Sequence, residues 1–210
     1  MTTRMFHIGL DLGQLQDYSA LTVTGEVHQW HGGAERPGST FAEYQLRHVE
    51  RFPLGTSYQD IARRVKALQD TEELKGARLH TVVDTTGVGL PVFEMLKTER
   101  VRGLVGVTIT GGESITAAGS IYRVPKRALV STLQVLLQNG ALRFAANMPL
   151  ADVLRKELQA FRARINIATG NESFEAWRER DHDDLVLSLA VALWHAHRPR
   201  SSHRRRTIAL

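Results

Sequence analysis

No cysteine occurs among the 210 residues, which rules out disulfides and cysteine-ligated zinc and fits a reducing compartment. Long apolar runs are missing as well. The longest, Leu185 to Trp194, is interrupted by Ser188 and falls far short of the roughly 18 residues that a membrane span needs. The opening Met-Thr-Thr-Arg-Met-Phe-His lacks the apolar stretch of a signal peptide. These absences predict a soluble protein with no membrane partner. The chain also contains no Gly-Lys dipeptide, so it has no G-x-x-x-x-G-K-[ST] loop, and phosphate-loop ATP hydrolysis is excluded. Lysine is scarce, 5 against 22 arginines. That bias suits phosphate recognition, because a guanidinium fork binds two oxygens at once, although genome composition can produce it too.

What is present begins with enough apolar material, 42% of the chain, to bury one substantial core. The net charge of +5 comes from 27 Lys+Arg against 22 Asp+Glu. Its location matters more than its size. Residues 198–210 carry Arg198, Arg200, Arg204, Arg205 and Arg206 and no acid, so removing them leaves 22 basic residues against 22 acidic ones. The expected organisation is one folded domain over residues 1–197 followed by a flexible basic tail over 198–210. That tail is either an arm for nucleic-acid phosphates or a solubilising terminus.

Patterning along the chain predicts an α/β protein: a mixed sheet flanked by helices. Three strands at about 5–12, 19–29 and 41–51 read as an antiparallel meander. Ser57 then caps a helix whose apolar face is Ile61, Val65, Leu68 and Leu74, ending near Gly76. A strand at 79–83 leads into a helix over 88–100, with Pro91 in its first turn and Val92, Met95 and Leu96 inward. Another strand follows at 103–110. A loop of about a dozen residues then precedes a helix from about 125 to 138. Next come a short strand at 141–145, a long amphipathic helix from 148 to about 164, and a small β-hairpin formed by 165–168 and 173–177. The last helix, from Asp183 to about His197, is apolar on nearly every side and should be buried.

Three acidic positions fall where these elements begin or end. They are Asp11 in His7-Ile-Gly-Leu-Asp-Leu-Gly13, Asp84 in Thr81-Val-Val-Asp-Thr-Thr-Gly87, and Asp183-Asp184 in His182-Asp-Asp-Leu185. Each adjoins an apolar run, so each carboxylate should stand at the rim of the core. Carboxylates gathered there repel one another and lose hydration unless a cation neutralises them. Hard Mg²⁺ or Mn²⁺ prefers such oxygen ligands, and a pair of these ions serves phosphodiester hydrolysis. Plainer roles exist for each residue: a turn start for Asp11, a helix cap for Asp84, and favourable charge at a helix N-terminus for Asp183 and Asp184. Capping needs only one acid, however, and a second behind Asp181 and His182 adds repulsion that capping does not explain. His182 itself reads as a metal-site neighbour, a phosphate contact or a polar helix-start residue.

The pattern resembles the nuclease domain of tailed-bacteriophage large terminases, and does so over most of the chain. The carrying segments are Gly9-Leu-Asp-Leu-Gly13 with Asp17-Tyr-Ser-Ala20, Val82-Val-Asp-Thr-Thr-Gly-Val-Gly89, Val124-Pro-Lys-Arg-Ala-Leu-Val130 leading to Leu136-Leu-Gln-Asn-Gly140, and His182-Asp-Asp-Leu185. The resemblance implies an RNase H-like fold that cuts concatemeric viral DNA during genome packaging with two metal ions, Mg²⁺ or Mn²⁺. It implies Asp11, Asp84, Asp183 and Asp184 as catalytic metal ligands. The implied partners are double-stranded DNA, a packaging ATPase domain, a small terminase subunit and the portal, in the cytoplasm of an infected bacterial host. Many family members carry a further Asp three positions after the Asp-Asp pair, where this chain has Leu187. Lys126 and Arg127 are candidates for DNA backbone contacts, together with the arginines of the tail.

Rival readings share parts of this pattern. A Holliday-junction resolvase of the same superfamily would use the same metals on branched DNA. A catalytically silent DNA-binding module would need only the tail. Ile8-Gly-Leu-Asp-Leu-Gly13 also resembles the first phosphate loop of sugar kinases and actin, but those proteins need two such lobes and 210 residues are too few.

Overall fold

The computed structural model describes residues 5–13, 17–30, 40–87, 89–167 and 183–198. In chain order the elements are β1 (Met5–Asp11), β2 (Ala20–Trp30), β3 (Thr40–Arg51), α1 (Tyr58–Gln69), β4 (Arg78–Asp84), α2 (Gly89–Thr98), β5 (Leu104–Thr110), β6 (Thr116–Ala118), β7 (Ile121–Pro125), α3 (Lys126–Gln138), β8 (Leu142–Arg143), α4 (Ala151–Ile167) and α5 (Asp184–His197). The strands form one mixed sheet in the order β6-β7-β5-β4-β1-β2-β3-β8. The α/β reading and the opening meander hold: β1 pairs antiparallel with β2, and β2 with β3. β4 lies parallel to β1 on its other side, followed by β5 and β7, also parallel. The ends of β1, β3, β4, β5 and β7 therefore come out on one edge of the sheet.

Both faces are covered, which is why β1 and β4 read as nearly continuous apolar runs. Ile8, Leu10, Leu21, Val23 and Val83 pack against Ile61, Val65, Val92, Phe93 and Leu96 of α1 and α2. On the other face Ala20, Val49, Val82, Val107 and Val124 meet Leu129 and Leu133 of α3, Leu154 of α4, and Leu185, Leu189 and Leu193 of α5. α5 is the central helix of that face. Its side chains from Leu185 to Ala196 are buried with the exception of Leu187, which is half-buried, and this matches its all-round apolar sequence. Among the described residues, no helix is long and apolar enough to cross a membrane.

Four sequence expectations need correcting. The loop expected between β5 and α3 contains two strands, β6 and β7, and β7 extends the parallel sheet beyond β5. Its run Ile121-Tyr-Arg-Val-Pro125 is short, half polar, and ends in a residue with no N–H to give a ladder; Pro is tolerated there because it is the last position of the strand. α1 stops at Gln69 instead of Gly76; Arg102 donates to the carbonyl of Gln69 (2.7 Å) at its end and to those of Leu74 (3.1 Å) and Lys75 (3.0 Å) in the turns beyond it. On α2 the third inward residue is Phe93, while Met95 is 37% exposed. α4 continues through Ile167, where the first strand of a hairpin was expected. The remainder of that hairpin, with Asp181 and His182, lies outside the described residues.

Candidate active site

The register of the sheet assembles the predicted acids. Leu10 stands opposite Val83 in the parallel pair β1–β4, so the next residues, Asp11 and Asp84, close two adjacent strands about 4.8 Å apart. In the antiparallel direction Asp11 is opposite Ala20, and Ala20 is opposite Arg51. Residues opposite one another share a face, so Asp84, Asp11, Ala20 and Arg51 form a row across four strands. That face is the one α5 covers, since Gly9, two residues before Asp11, lies against the helix. A Cβ at Gly9 would fall 1.8 Å from the Ser188 carbonyl oxygen, so only glycine lets α5 sit this close. From Ser188 one helical turn back to Asp184 is about 6 Å. From Gly9 forward to Asp11 is about 6.6 Å. The first turn of α5 is therefore level with Asp11 and Asp84, and all four aspartates lie toward the same end of the sheet.

Local bonds separate the possible roles of these acids. Asp84 is buried, and one of its oxygens, Oδ1, accepts the Thr86 N–H at 2.8 Å, which closes a turn two residues on. α2 begins only at Gly89, so Asp84 is not its cap. Gly89 is needed for a structural reason: a Cβ there would lie 2.5 Å from the Asp84 carbonyl oxygen. The glycines after Asp84 thus shape the turn that holds the acid. Asp183 occupies the N-cap position of α5, yet its side chain makes no capping hydrogen bond. Asp184 is buried, whereas Asp11 and Asp183 are half-buried at the rim.

Two residues that the sequence reading did not single out complete the cluster. Arg51 Nε donates to Asp184 Oδ2 at 2.7 Å, and Arg51 Nη2 donates to Glu157 Oε1. Glu157, on α4, is also the acceptor for the Val186 N–H of α5, through Oε2 at 3.2 Å. The Arg51 guanidinium lies 5.1 Å from the Tyr18 ring centre, a contact that helps to fix it. Burial first, and then the adjacent Asp184 carboxylate, push Glu157 up to about 7, against the opposing pull of Arg51 and the Val186 N–H. Among the described residues no group of three or more His, Cys, Asp or Glu side chains is placed to hold a metal ion. In donor chemistry alone, carboxylate oxygens are what a hard divalent cation takes, and two acids of the cluster, Asp184 and Glu157, already draw on a guanidinium.

The basic candidates divide by position. Lys126 and Arg127 open α3 immediately after β7, and Thr110 of β5 is opposite Pro125 of β7. They therefore share the aspartate edge, two strands or about 10 Å beyond β4. Arg127 is engaged with the β5–β6 loop, donating to Glu113 Oε1 (3.3 Å) and to the Glu113 carbonyl (3.1 Å). Arg198 lies at the opposite end of α5, about 21 Å from Asp184 along the helix. There it stacks 4.4 Å from the Tyr122 ring centre and meets His195 Nε2 at 2.9 Å. Arg200, Arg204, Arg205 and Arg206 lie outside the described residues.

No family model matches the sequence, and no curated protein matches it. Solved structures do. The human cytomegalovirus terminase nuclease domain, soaked with Mn and bound to an inhibitor, superposes with a TM-score of 0.55 at 11% identity, covering 92% of this chain and 83% of that one. A second structure of the same viral domain gives 0.50 at 11% identity, with 91% and 82% covered. Thermus thermophilus RuvC is similar over 91% of this chain and 93% of its own, at 12% identity, but its TM-score of 0.40 is too low to build on. At such identities likeness establishes fold alone. The fold is RNase H-like, with an eight-stranded mixed sheet and five flanking helices among the described residues.

Proposed function

We propose that this protein is a divalent-metal-dependent endodeoxyribonuclease that cuts concatemeric viral DNA during genome packaging, with Asp11, Asp84, Asp183 and Asp184 as its metal ligands. The observation that supports this reading is the placement of four aspartates, from two adjacent strand ends and one helix start, at the same end of the sheet. The fold shared with a viral terminase nuclease domain supports the same class of chemistry. Packaging, a phage source and the cytoplasm of a bacterial host follow from the motif resemblance, as do the ATPase domain, small subunit and portal as partners.

Two Mg²⁺ or Mn²⁺ ions, when bound, supply an ionised water and neutralise the departing 3′-oxygen. Asp11 and Asp84, on rigid strands, fix the first half of the ligand set. Asp183 and Asp184 bring the second half from α5. Lys126 and Arg127 hold the DNA backbone along the same edge, and the arginines beyond Arg198 add affinity without sequence choice.

Cleavage of plasmid DNA tests the proposal. With Mg²⁺ or Mn²⁺ the wild-type protein should linearise it. With Ca²⁺, whose coordination is looser, it should bind without turnover. Asp11→Asn and Asp84→Asn should reduce cutting to background while retaining fold and DNA binding. Wild-type rates in either variant would remove the metal-ligand assignment. Cutting confined to four-way junctions would instead establish the resolvase reading.

A further inference from the structure

On the reading just given, the fourth aspartate has to be held in place by something, and we infer that Glu157 is the positioning residue that does it, acting through Arg51 and the start of α5. The first turn of a helix leaves N–H groups without intrahelical partners, and the residue at the N-cap ordinarily supplies an acceptor. Asp183 is at that place in α5 and makes no such bond. The acceptor comes instead from another helix: Glu157 Oε2 takes the Val186 N–H at 3.2 Å. Capping from α4 leaves the Asp183 carboxylate out of the capping role and ties the start of α5 to a second element.

The other oxygen of Glu157 accepts from Arg51 Nη2, while Arg51 Nε reaches Asp184 Oδ2 at 2.7 Å. One guanidinium thus links the β3 end, the α4 face and the first residue of α5. Glu157 and Arg51 are both largely buried, with side chains 7% and 17% exposed, so this link is shielded from solvent. Both Glu157 oxygens already have donors, which marks it as a support for the acids that face the rim. Groups that orient metal ligands in this way typically alter metal affinity by about 10–100-fold when they are removed.

The test is Mn²⁺ calorimetry on the full chain, at a temperature well below melting, with circular dichroism as a check on folding. Glu157→Ala should weaken Mn²⁺ binding by about 10–100-fold. Glu157→Gln keeps an acceptor for the Val186 N–H, and should restore part of that loss. A purely structural role would show no such rescue: both variants would melt earlier yet bind Mn²⁺ as wild type does, and that result would overturn the inference. Asp11→Asn, run alongside, separates the two levels of the argument. If Asp11→Asn loses Mn²⁺ while folded Glu157→Gln and Glu157→Ala keep it, the positioning role fails and the nuclease site stands. If wild type and Asp11→Asn bind Mn²⁺ alike, or neither binds it, the site itself fails and the positioning role falls with it.

Discussion

β1, β4 and α5 run together through the centre of the molecule, and their two ends carry opposite chemistry. One end collects Asp11, Asp84, Asp183 and Asp184, with Glu157 and Arg51 beside them. The other collects three histidines from the same three elements: His7, His80 and His195. His7 stacks on His80 with ring centres 5.4 Å apart, and His195 lies 4.8 Å from His80. His7 Nε2 meets the buried Glu26 Oε2 at 2.8 Å, and Glu26 Oε1 meets the exposed His28 Nε2 at 2.9 Å. The histidine end is largely buried, its rings packed together around one acid, Glu26. Crowded carboxylates repel one another, at a free-energy cost that burial increases. The same strands and helix therefore pack histidines around a buried acid at one end and carry aspartates at the rim of the other.

The largest effect that would sharpen this contrast concerns the two adjacent aspartates at the rim. Both Asp183→Ala and Asp184→Ala should lose most DNA cleavage, but their stabilities in metal-free buffer should differ. Asp184→Ala removes a charged partner of Arg51 and should lower stability by about 1–2 kcal/mol, the lower part of the range for hydrogen bonds to charged groups, because repulsion of Glu157 is relieved at the same time. Asp183→Ala should cost none of the roughly 0.5–2 kcal/mol of a lost N-cap, since no capping bond exists to lose. Urea melts with parallel cleavage assays would decide; a cap-sized loss in Asp183→Ala with full activity would return that residue to a structural role.

A smaller effect is expected one residue before Arg51, on the opposite face of β3. Glu50 is held by Arg64, with Nη2 at 2.9 Å from Oε2, and by His48 at 3.0 Å. Partial burial raises its carboxyl, but these two partners outweigh that and hold it below its ordinary 4.5. A lowered folded-state value means stability that is present above 4.5 and is lost as pH falls through the lower, folded value. For a pair this exposed the contribution is about 0.2–1 kcal/mol. Glu50→Gln should therefore be slightly less stable than wild type at pH 7 in urea melts, with the gap closing below pH 4.5. A gap that persists in acid would mean that the pair's charge is not its source.

The contrast between the two ends was only partly legible in the sequence. Asp11, Asp84 and Asp183-Asp184 were visible because each interrupts or borders an apolar run, and such breaks mark element ends. Their placement at the same end of the sheet was not visible, because it depends on the parallel pairing of β1 with β4 and on the contact between Gly9 and Ser188. Arg51 carried a faint signal, an arginine at the same strand parity as the inward Val49. Glu157 carried another, as an acid three positions after Leu154 on a face that helical spacing would fill with apolar residues. Strand β7 escaped because pairing with β5 and β6 makes it a strand, against a sequence that reads as loop. The histidines escaped for a different reason: they lie far apart in sequence, and only the pairing of His7 with His80 and the return of α5 bring them together.

On the proposed function, the aspartate end binds the divalent cation and the histidine end does not. The most direct test is the shift in melting temperature caused by Mn²⁺ in wild type, Asp11→Asn and His7→Leu. A ligand held only by the native state at about 100 times its dissociation constant adds about 2.7 kcal/mol of stability. His7→Leu should start less stable, by about 1–3 kcal/mol for leaving Glu26 without that partner, yet keep the full Mn²⁺-induced rise. Asp11→Asn should melt normally without metal and lose the rise. The reverse pattern, with the rise surviving in Asp11→Asn and vanishing in His7→Leu, would place the cation at the histidine end and remove the aspartates from metal binding.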